Sequence, residues 1–376
     1  MTIGVLKETG DDTRVALIPD HIPVLTGLKV TVIVEEGAGT RAYFSDKKYL
    51  ESGAEVKSRK EVISESDILL LASSPDDELL KNVKGSDKII IGTMNPLSDR
   101  EISDRISKSD VTTFSMDLIP RSTRAQAMDV LSSMATIAGY KAVLDAAYHL
   151  PRFFPMFMSA AGTIRPSKVL ILGAGVAGLQ AVASARKLGA VVEVFDVRSA
   201  VKEEVQSLGG KFIEVEGATE DKAAGGYAVE QTEDFKRRQA EMIHKHASNA
   251  NVIICTAQIP GKKAPVLIRK ETVESMAPGS VIVDLAASTG GNCEVTENDR
   301  TIVHNQVTII GKSDYPAVMA SDASKMYGTN ITNFLKLLID PDGNMNLDFS
   351  DDIIKGTCLT HGGELVNERV KTILNI

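Results

Sequence analysis

The 376-residue chain contains no tryptophan, and aromatic residues make up only 5% of it. Proteins that grip single-stranded nucleic acid stack bases on aromatic rings, so this composition argues against that role. A positive charge balance is also missing: 42 Lys and Arg face 50 Asp and Glu, a net charge of −8. There is thus no basic footprint for nucleic acid or anionic lipid. The three cysteines, Cys255, Cys293 and Cys358, are widely spaced and form no CxxC pair. Neither a disulfide framework nor a zinc site is indicated, and they read as small buried hydrophobes. No apolar run reaches the roughly 18–20 residues that span a bilayer. The N-terminus has no apolar stretch behind a basic start, so it is not a secretory signal. Direct membrane insertion is not expected, whereas docking on a membrane-embedded partner stays open. No HExxH, nucleophile elbow or set of clustered metal ligands appears, and none of the six histidines stands in a catalytic arrangement. His244 and His246 read as solvated positions in a charged helix tail.

What is present is an alternation of short β-branched runs with polar helical stretches. Strands are expected at 3–8, 30–37, 67–73, 88–94 and 111–117, and again at 168–175, 191–197, 209–216, 250–257, 280–286 and 307–312. Such continuous apolar runs suit strands buried on both faces of a parallel sheet. The pattern reads as an α/β protein of two Rossmann-like, doubly wound parallel-sheet domains. One long helix is expected over 124–150. The proline-broken segment 151–166 is read as packing between the domains, with its Met and Phe residues as core filler. An amphipathic helix over 321–339 opens a tail too poor in core to fold alone. It is expected to pack back on the first domain, which becomes discontinuous: 1–128 with 315–376, against 129–314.

The chemistry-bearing motif is VLILGAGVAGLQ (169–180). Gly173, Gly175 and Gly178 form GxGxxG directly after a strand and at the opening of a helix. The first glycine permits the tight turn, the second admits a pyrophosphate, and the third lets helix and strand pack closely. The phosphates then face the free N–H groups of the helix N-terminus, which places Ala174 and Val176 at the ligand as well. The next strand ends at Asp196, 18 residues after Gly178. An acid there accepts hydrogen bonds from the adenosine ribose and repels a 2′-phosphate, which selects NAD(H). Val197 and Arg198 follow directly, and Arg198 is a cation that a 2′-phosphate would meet. A polar stretch, 217–241, then interrupts the strand–helix rhythm, with Gly225 and Gly226 as hinges and Tyr227 as one large ring. A mobile loop over 217–238 that closes as a lid and an inert surface insertion are both open readings.

Several blocks together resemble the NAD(H)-binding component of proton-translocating nicotinamide nucleotide transhydrogenases. They are RSTRAQAMDVLSSMATIAGYKAV (121–143), PRFFPMFMSAAGTIRPSKVLILGAGVAGLQA (151–181), AGGYA (224–228), IPGKKAPVLI (259–268) and VIVDLAASTGGNCE (281–294). The likeness runs from KETGDDTRVALIP (7–19) to the end. Alanine dehydrogenases are the near relatives and carry a catalytic histidine near the end of an early strand. Here that region, 71–99, holds no histidine and ends in Asn95–Pro96.

The resemblance implies that Arg121, Gln126, Asp129 and Ser132 hold the nicotinamide and ribose end of the cofactor. Gln126, Asp129 and Ser132 step by three along the expected helix, so they share a face. It also implies that Tyr227, beside Ala228, is a mobile-loop tyrosine. Activity then means hydride transfer from NADH to NADP+ on a partner component. The partners implied are an NADP(H)-binding component and a membrane-spanning subunit with the proton path. A homodimer is implied, cytoplasmic and peripheral on the inner face of the cell membrane through those partners. The chain shows no membrane segments after the helical tail and reads as a separate subunit. Two rivals stay in view: an alanine dehydrogenase-like oxidoreductase and a non-catalytic NAD-sensing module.

Overall fold

The computed structural model describes residues 1–215, 217, 232–259 and 261–374. The chain forms two compact units, Met1–Met134 with Pro316–Ile376, and Ala135–Tyr315. Strands are numbered along the chain, β1–β6 in the first unit, β7–β15 in the second, and β16 and β17 in the returning C-terminal segment.

In the first unit, β1 (Thr2–Val5), β2 (Thr31–Glu35), β3 (Glu55–Lys57), β4 (Ile68–Leu70), β5 (Ile89–Gly92) and β6 (Thr112–Ser115) are all parallel. The sheet order is β17-β16-β6-β5-β4-β1-β2-β3, so the connections diverge between β1 and β4. That reversal is the doubly wound arrangement, with ligand crevices at the strand C-termini. Alternate residues feed opposite faces: Ile68, Leu70, Ile89 and Ile91 join one core, while Leu69 and Ile90 join the other. The two outer strands, β16 (Cys358–His361) and β17 (Glu364–Leu365), run antiparallel, β16 pairing with β6.

The second unit repeats the scheme. Its strands are β9 (Lys168–Leu172), β10 (Val191–Phe195), β11 (Lys211–Ile213), β12 (Val252–Cys255), β13 (Val281–Asp284), β14 (Thr301–His304) and β15 (Val307–Ile310). They lie in the order β11-β10-β9-β12-β13-β15-β14, parallel except for β14. Val194 and Ile254 both register against Ile171, so β9 is flanked by β10 and β12 at the reversal point.

Three local expectations are corrected. The segment 124–150 is not one helix: a 3-10 turn, Thr123–Met128, ends at extended Asp129, and the α-helix runs Val130–His149. The reason is a cap, since the Asp129 carboxylate accepts the Ser132 N–H at 2.9 Å. The proline-broken segment is not core filler either. It forms a two-stranded hairpin, β7 (Phe157–Ser159) with β8 (Gly162–Ile164), that pairs with neither large sheet. Phe157 and Met158 stay 45% and 70% exposed, and only Phe154 joins the core. Finally, residues from 233 onward are not loop. The helix Glu233–Ala247 starts there, because Thr232 accepts the Phe235 N–H.

The helix Ala320–Leu338 buries Tyr327, Ile331, Phe334, Leu335 and Leu338 in the first unit's core. All three cysteines are buried. Among the described residues no helix is long and apolar enough to cross a membrane.

Candidate dinucleotide site

The glycine turn sits at the reversal point of the second unit. Gly173 follows β9 with φ +102°, a conformation that a side chain resists. A Cβ there would come within 2.6 Å of Thr256 Oγ1, just beyond β12. Gly178 lies in the first turn of the helix Val176–Lys187, and a Cβ on it would lie 1.9 Å from the Gly173 carbonyl oxygen. Close helix–strand packing therefore forbids any other residue. Gly175 is different: a Cβ would meet nothing within 4 Å. It opens the helix without a side-chain cap, so space and uncapped amides coincide. The residues present fit a dinucleotide's pyrophosphate at this turn.

Asp196 stands beside the turn, its side chain 5% exposed. One carboxylate oxygen accepts the Ala174 N–H at 2.7 Å and the Arg198 Nη2 at 2.6 Å. The other accepts the Arg198 backbone N–H at 2.9 Å and its Nε at 2.8 Å. The carboxylate so gripped holds the Arg198 guanidinium above its ordinary pKa. Among the described residues Asp196 thus accepts from Ala174 and three times from Arg198, which covers it. The sequence places the acid directly after β10, and in the structure its oxygens are shared with the neighbouring cation. Val197, between them, packs against the adjoining core. Val176 is exposed and Ala174 buried at the turn. Gly226 and Tyr227 lie outside the described residues.

Sequence reasoning passed over the residues that hold the far wall. Thr256 donates to the Leu172 and Gly173 carbonyls at 3.1 Å each. Asn292 accepts the Ala257 N–H at 3.0 Å and donates to the Ala257 and Pro265 carbonyls at 2.8 Å. Buried Asp284 accepts the Asn292 and Cys293 N–H groups and the Thr296 hydroxyl. Burial pushes the Asp284 carboxyl upward, and these donors pull it back. The available signal was position: polar residues directly after β12 and β13 belong to the crevice.

Of the four residues assigned to the nicotinamide end, the first unit holds all. Gln126 lies on the 3-10 turn, Asp129 at the break and Ser132 in the first helical turn, so they do not share one helix face. Asp129 and Ser132 are brought together, the Ser132 hydroxyl donating to the Asp129 carboxylate at 2.6 Å. Arg121 and Gln126 are exposed. His244 and His246 are not simply solvated: His244 Nδ1 lies 2.9 Å from Thr272 Oγ1, and His246 Nδ1 lies 2.6 Å from Glu193.

At the first unit's own reversal point, between β1 and β4, a buried acid bridges the strand ends. Glu8, 3% exposed, accepts the Ala72 and Ser73 N–H groups and the Ser73 hydroxyl across the two strand ends. Burial pushes its carboxyl up to about 7. Arg14 pairs with Asp12 and stacks over Tyr327 at 5.8 Å. After β5, Met94 is buried. Its N–H donates to Ser115 Oγ and Asp117 Oδ1, at 3.1 Å each.

Known proteins share this architecture. Two family models match, the alanine dehydrogenase/PNT N-terminal domain over residues 4–138 and its C-terminal domain over 142–368. The NAD(P) transhydrogenase subunit alpha of Haemophilus influenzae is 43% identical across 97% of this chain and 71% of its own length. An NAD(P) transhydrogenase alpha-subunit polypeptide of Rhodospirillum rubrum is 42% identical across 98% of both chains. A solved transhydrogenase structure from Sinorhizobium meliloti superposes with a TM-score of 0.89, at 38% identity, over 97% of this chain and 100% of that one. Matched along nearly its whole length in sequence and in fold, the chain belongs to the alanine dehydrogenase/PNT family, among the NAD(P) transhydrogenase alpha subunits.

Proposed function

We propose that the chain is the NAD(H)-binding subunit of an NAD(P)+ transhydrogenase. In this reading it presents NADH to NADP+ held on a partner component, and a membrane-spanning partner couples the transfer to proton movement. The observation that carries it is the likeness to transhydrogenase alpha subunits along nearly the full length of both chains, at 42% identity. The turn geometry supports the cofactor: open space at Gly175, uncapped amides at the helix start, and Asp196 held beside Ala174.

When bound, NADH supplies a hydride that moves between two nicotinamide C4 atoms without proton exchange at either carbon. This chain's residues therefore have to bind, orient and exclude water rather than move a proton. Gly173, Ala174, Gly175, Val176 and Gly178 bind the pyrophosphate. Asp196, Val197 and Arg198 receive the adenosine end. Arg121, Gln126, Asp129 and Ser132 orient the nicotinamide end, with Asp129 and Ser132 pre-aligned by their mutual hydrogen bond. Gly226 and Tyr227 belong to the loop proposed as a lid. The working form is a homodimer, cytoplasmic and peripheral on the membrane through its partners. The lack of a histidine over residues 71–99 supports this reading over an alanine dehydrogenase, which needs a proton donor there.

The test mixes the chain with a purified NADP(H)-binding component and follows transfer from NADH to a spectrally shifted NADP+ analogue. Transfer that requires both proteins is expected. No transfer, together with pyruvate-dependent NADH oxidation by the chain alone, overturns the proposal in favour of the dehydrogenase. NADH binding with neither activity favours the sensing module.

A further inference from the structure

The segment Pro120–Asp129 is a poor structural element by itself. It is a six-residue 3-10 turn, Thr123–Met128, that stops at an extended residue. Short 3-10 turns have weak internal hydrogen bonds and leave terminal carbonyls without partners. Its position has to come from elsewhere, and three contacts from the returning C-terminal segment supply it. Arg124 forks onto Asp351, Nη1 to Oδ2 at 2.7 Å and Nη2 to Oδ1 at 2.6 Å, and Nη2 also reaches Asp352. Asp351 is itself fixed, because it caps the helix Asp352–Thr357 by accepting the Ile353 N–H at 2.8 Å. In that same helix Gly356 lies against Pro120, where a Cβ would come within 2.6 Å of the proline ring. At the other end, the Ala127 carbonyl accepts the Asn330 side-chain amide at 2.9 Å and that of Asn333 at 3.2 Å. Asn330 is only 6% exposed. Burying an amide costs free energy, so its presence in a helix packed on the core asks for a reason.

From this we infer that the C-terminal return is a clamp on the Arg121–Asp129 turn, with Arg124 and Asn330 as positioning residues for the nicotinamide end. The inference rests on the reading above that Arg121, Gln126 and Asp129 orient that end. Ala125 and Met128 anchor the turn from beneath. The clamp fixes the freedom that remains, which is sliding and twisting of the exposed side. Arg121 and Gln126 project from that side. An ion pair as exposed as that of Arg124 contributes little to global stability. Its loss leaves the fold standing and lets the turn wander, and displacements near 1 Å are what hydride transfer tolerates least.

Four full-chain variants test it: Arg124→Gln, Asp351→Asn, their double, and Asn330→Ala. Asparagine still caps a helix, so Asp351→Asn breaks the fork alone. In Arg124→Gln, amide exchange across residues 121–129 without nucleotide speeds by about tenfold. Transfer to the NADP(H)-binding component at saturating NADH falls by about tenfold, while NADH affinity changes less than about threefold. The double is no worse than Arg124→Gln alone, which already removes the contacts to both Asp351 and Asp352. Asn330→Ala gives the same split between rate and affinity. Unchanged exchange and unchanged transfer overturn the clamp, as does a rate loss that tracks an equal loss of NADH affinity or of thermal stability. A wild-type chain that transfers no hydride overturns the functional reading and the clamp with it. An active wild type beside unaffected variants overturns only the clamp.

Discussion

At the scale of single residues, Asp196 carries the most consequence. Its carboxylate is gripped by the Arg198 guanidinium and by the Ala174 N–H. Under the proposed function a ribose hydroxyl competes with Arg198 for it, and a 2′-phosphate meets the same guanidinium. Arg198→Ala is therefore expected to weaken NADPH binding by about tenfold, the order of one charge-assisted contact, and to leave NADH binding equal or tighter. Nucleotide titrations followed by fluorescence check it, and a matching loss for both nucleotides refutes it. Glu8 makes a separate prediction. Burial holds it as the acid up to about 7, above its ordinary 4.5. The folded chain then binds more protons than the unfolded one between those values. This contribution to stability is complete below about 4.5 and fades as pH rises through about 7. The thermal midpoint of the first unit should fall from pH 5 toward pH 8, and Glu8→Gln should flatten that dependence.

At the scale of elements, glycines set how closely helices approach. Gly139 brings the helix Val130–His149 against the start of the helix Val176–Lys187, where a Cβ would lie 2.1 Å from the Ala177 carbonyl oxygen. Gly139→Ala forces that first turn aside. A loss of about 1–3 kcal/mol from the second unit is expected, with weaker NADH binding, measured by denaturant unfolding and titration. Most elements were legible because buried parallel strands announce themselves as β-branched runs. The sequence does not show the helix break at Asp129, because Met128, Leu131, Met134, Ile137, Ala138 and Val143 recur at helical spacing across it. The competing signal was an Asp three residues ahead of a Ser. The β7–β8 hairpin was missed for the opposite reason: its Met and Phe side chains carry hydrophobicity without burial.

At the scale of the molecule, the C-terminal segment completes the first unit. Phe334 meets Phe114 edge-on at 5.4 Å, and β16 extends the sheet beyond β6. A chain ending at Tyr315 loses this part of the core. It should show the unfolding transition of the second unit alone, and limited proteolysis should yield a stable fragment near Ala135–Tyr315. Survival of two transitions in that truncation speaks against the assignment.

Residue order alone was enough for whatever depends on short spacing: the glycine turn after β9, the acid at the end of β10, the βαβ rhythm and the absence of a histidine after β5. These are local because a turn, a cap or a strand is specified by residues within a few positions of one another. Which partners those groups meet is decided by packing. Arg198 folds onto Asp196; Thr256 and Asn292 line the far side of the turn; Asp351 and Asn330 reach Arg124 and Ala127 across more than 200 residues. Such pairings arise from how sheets and helices pack, and no periodicity in a chain records which distant side chains that packing brings together.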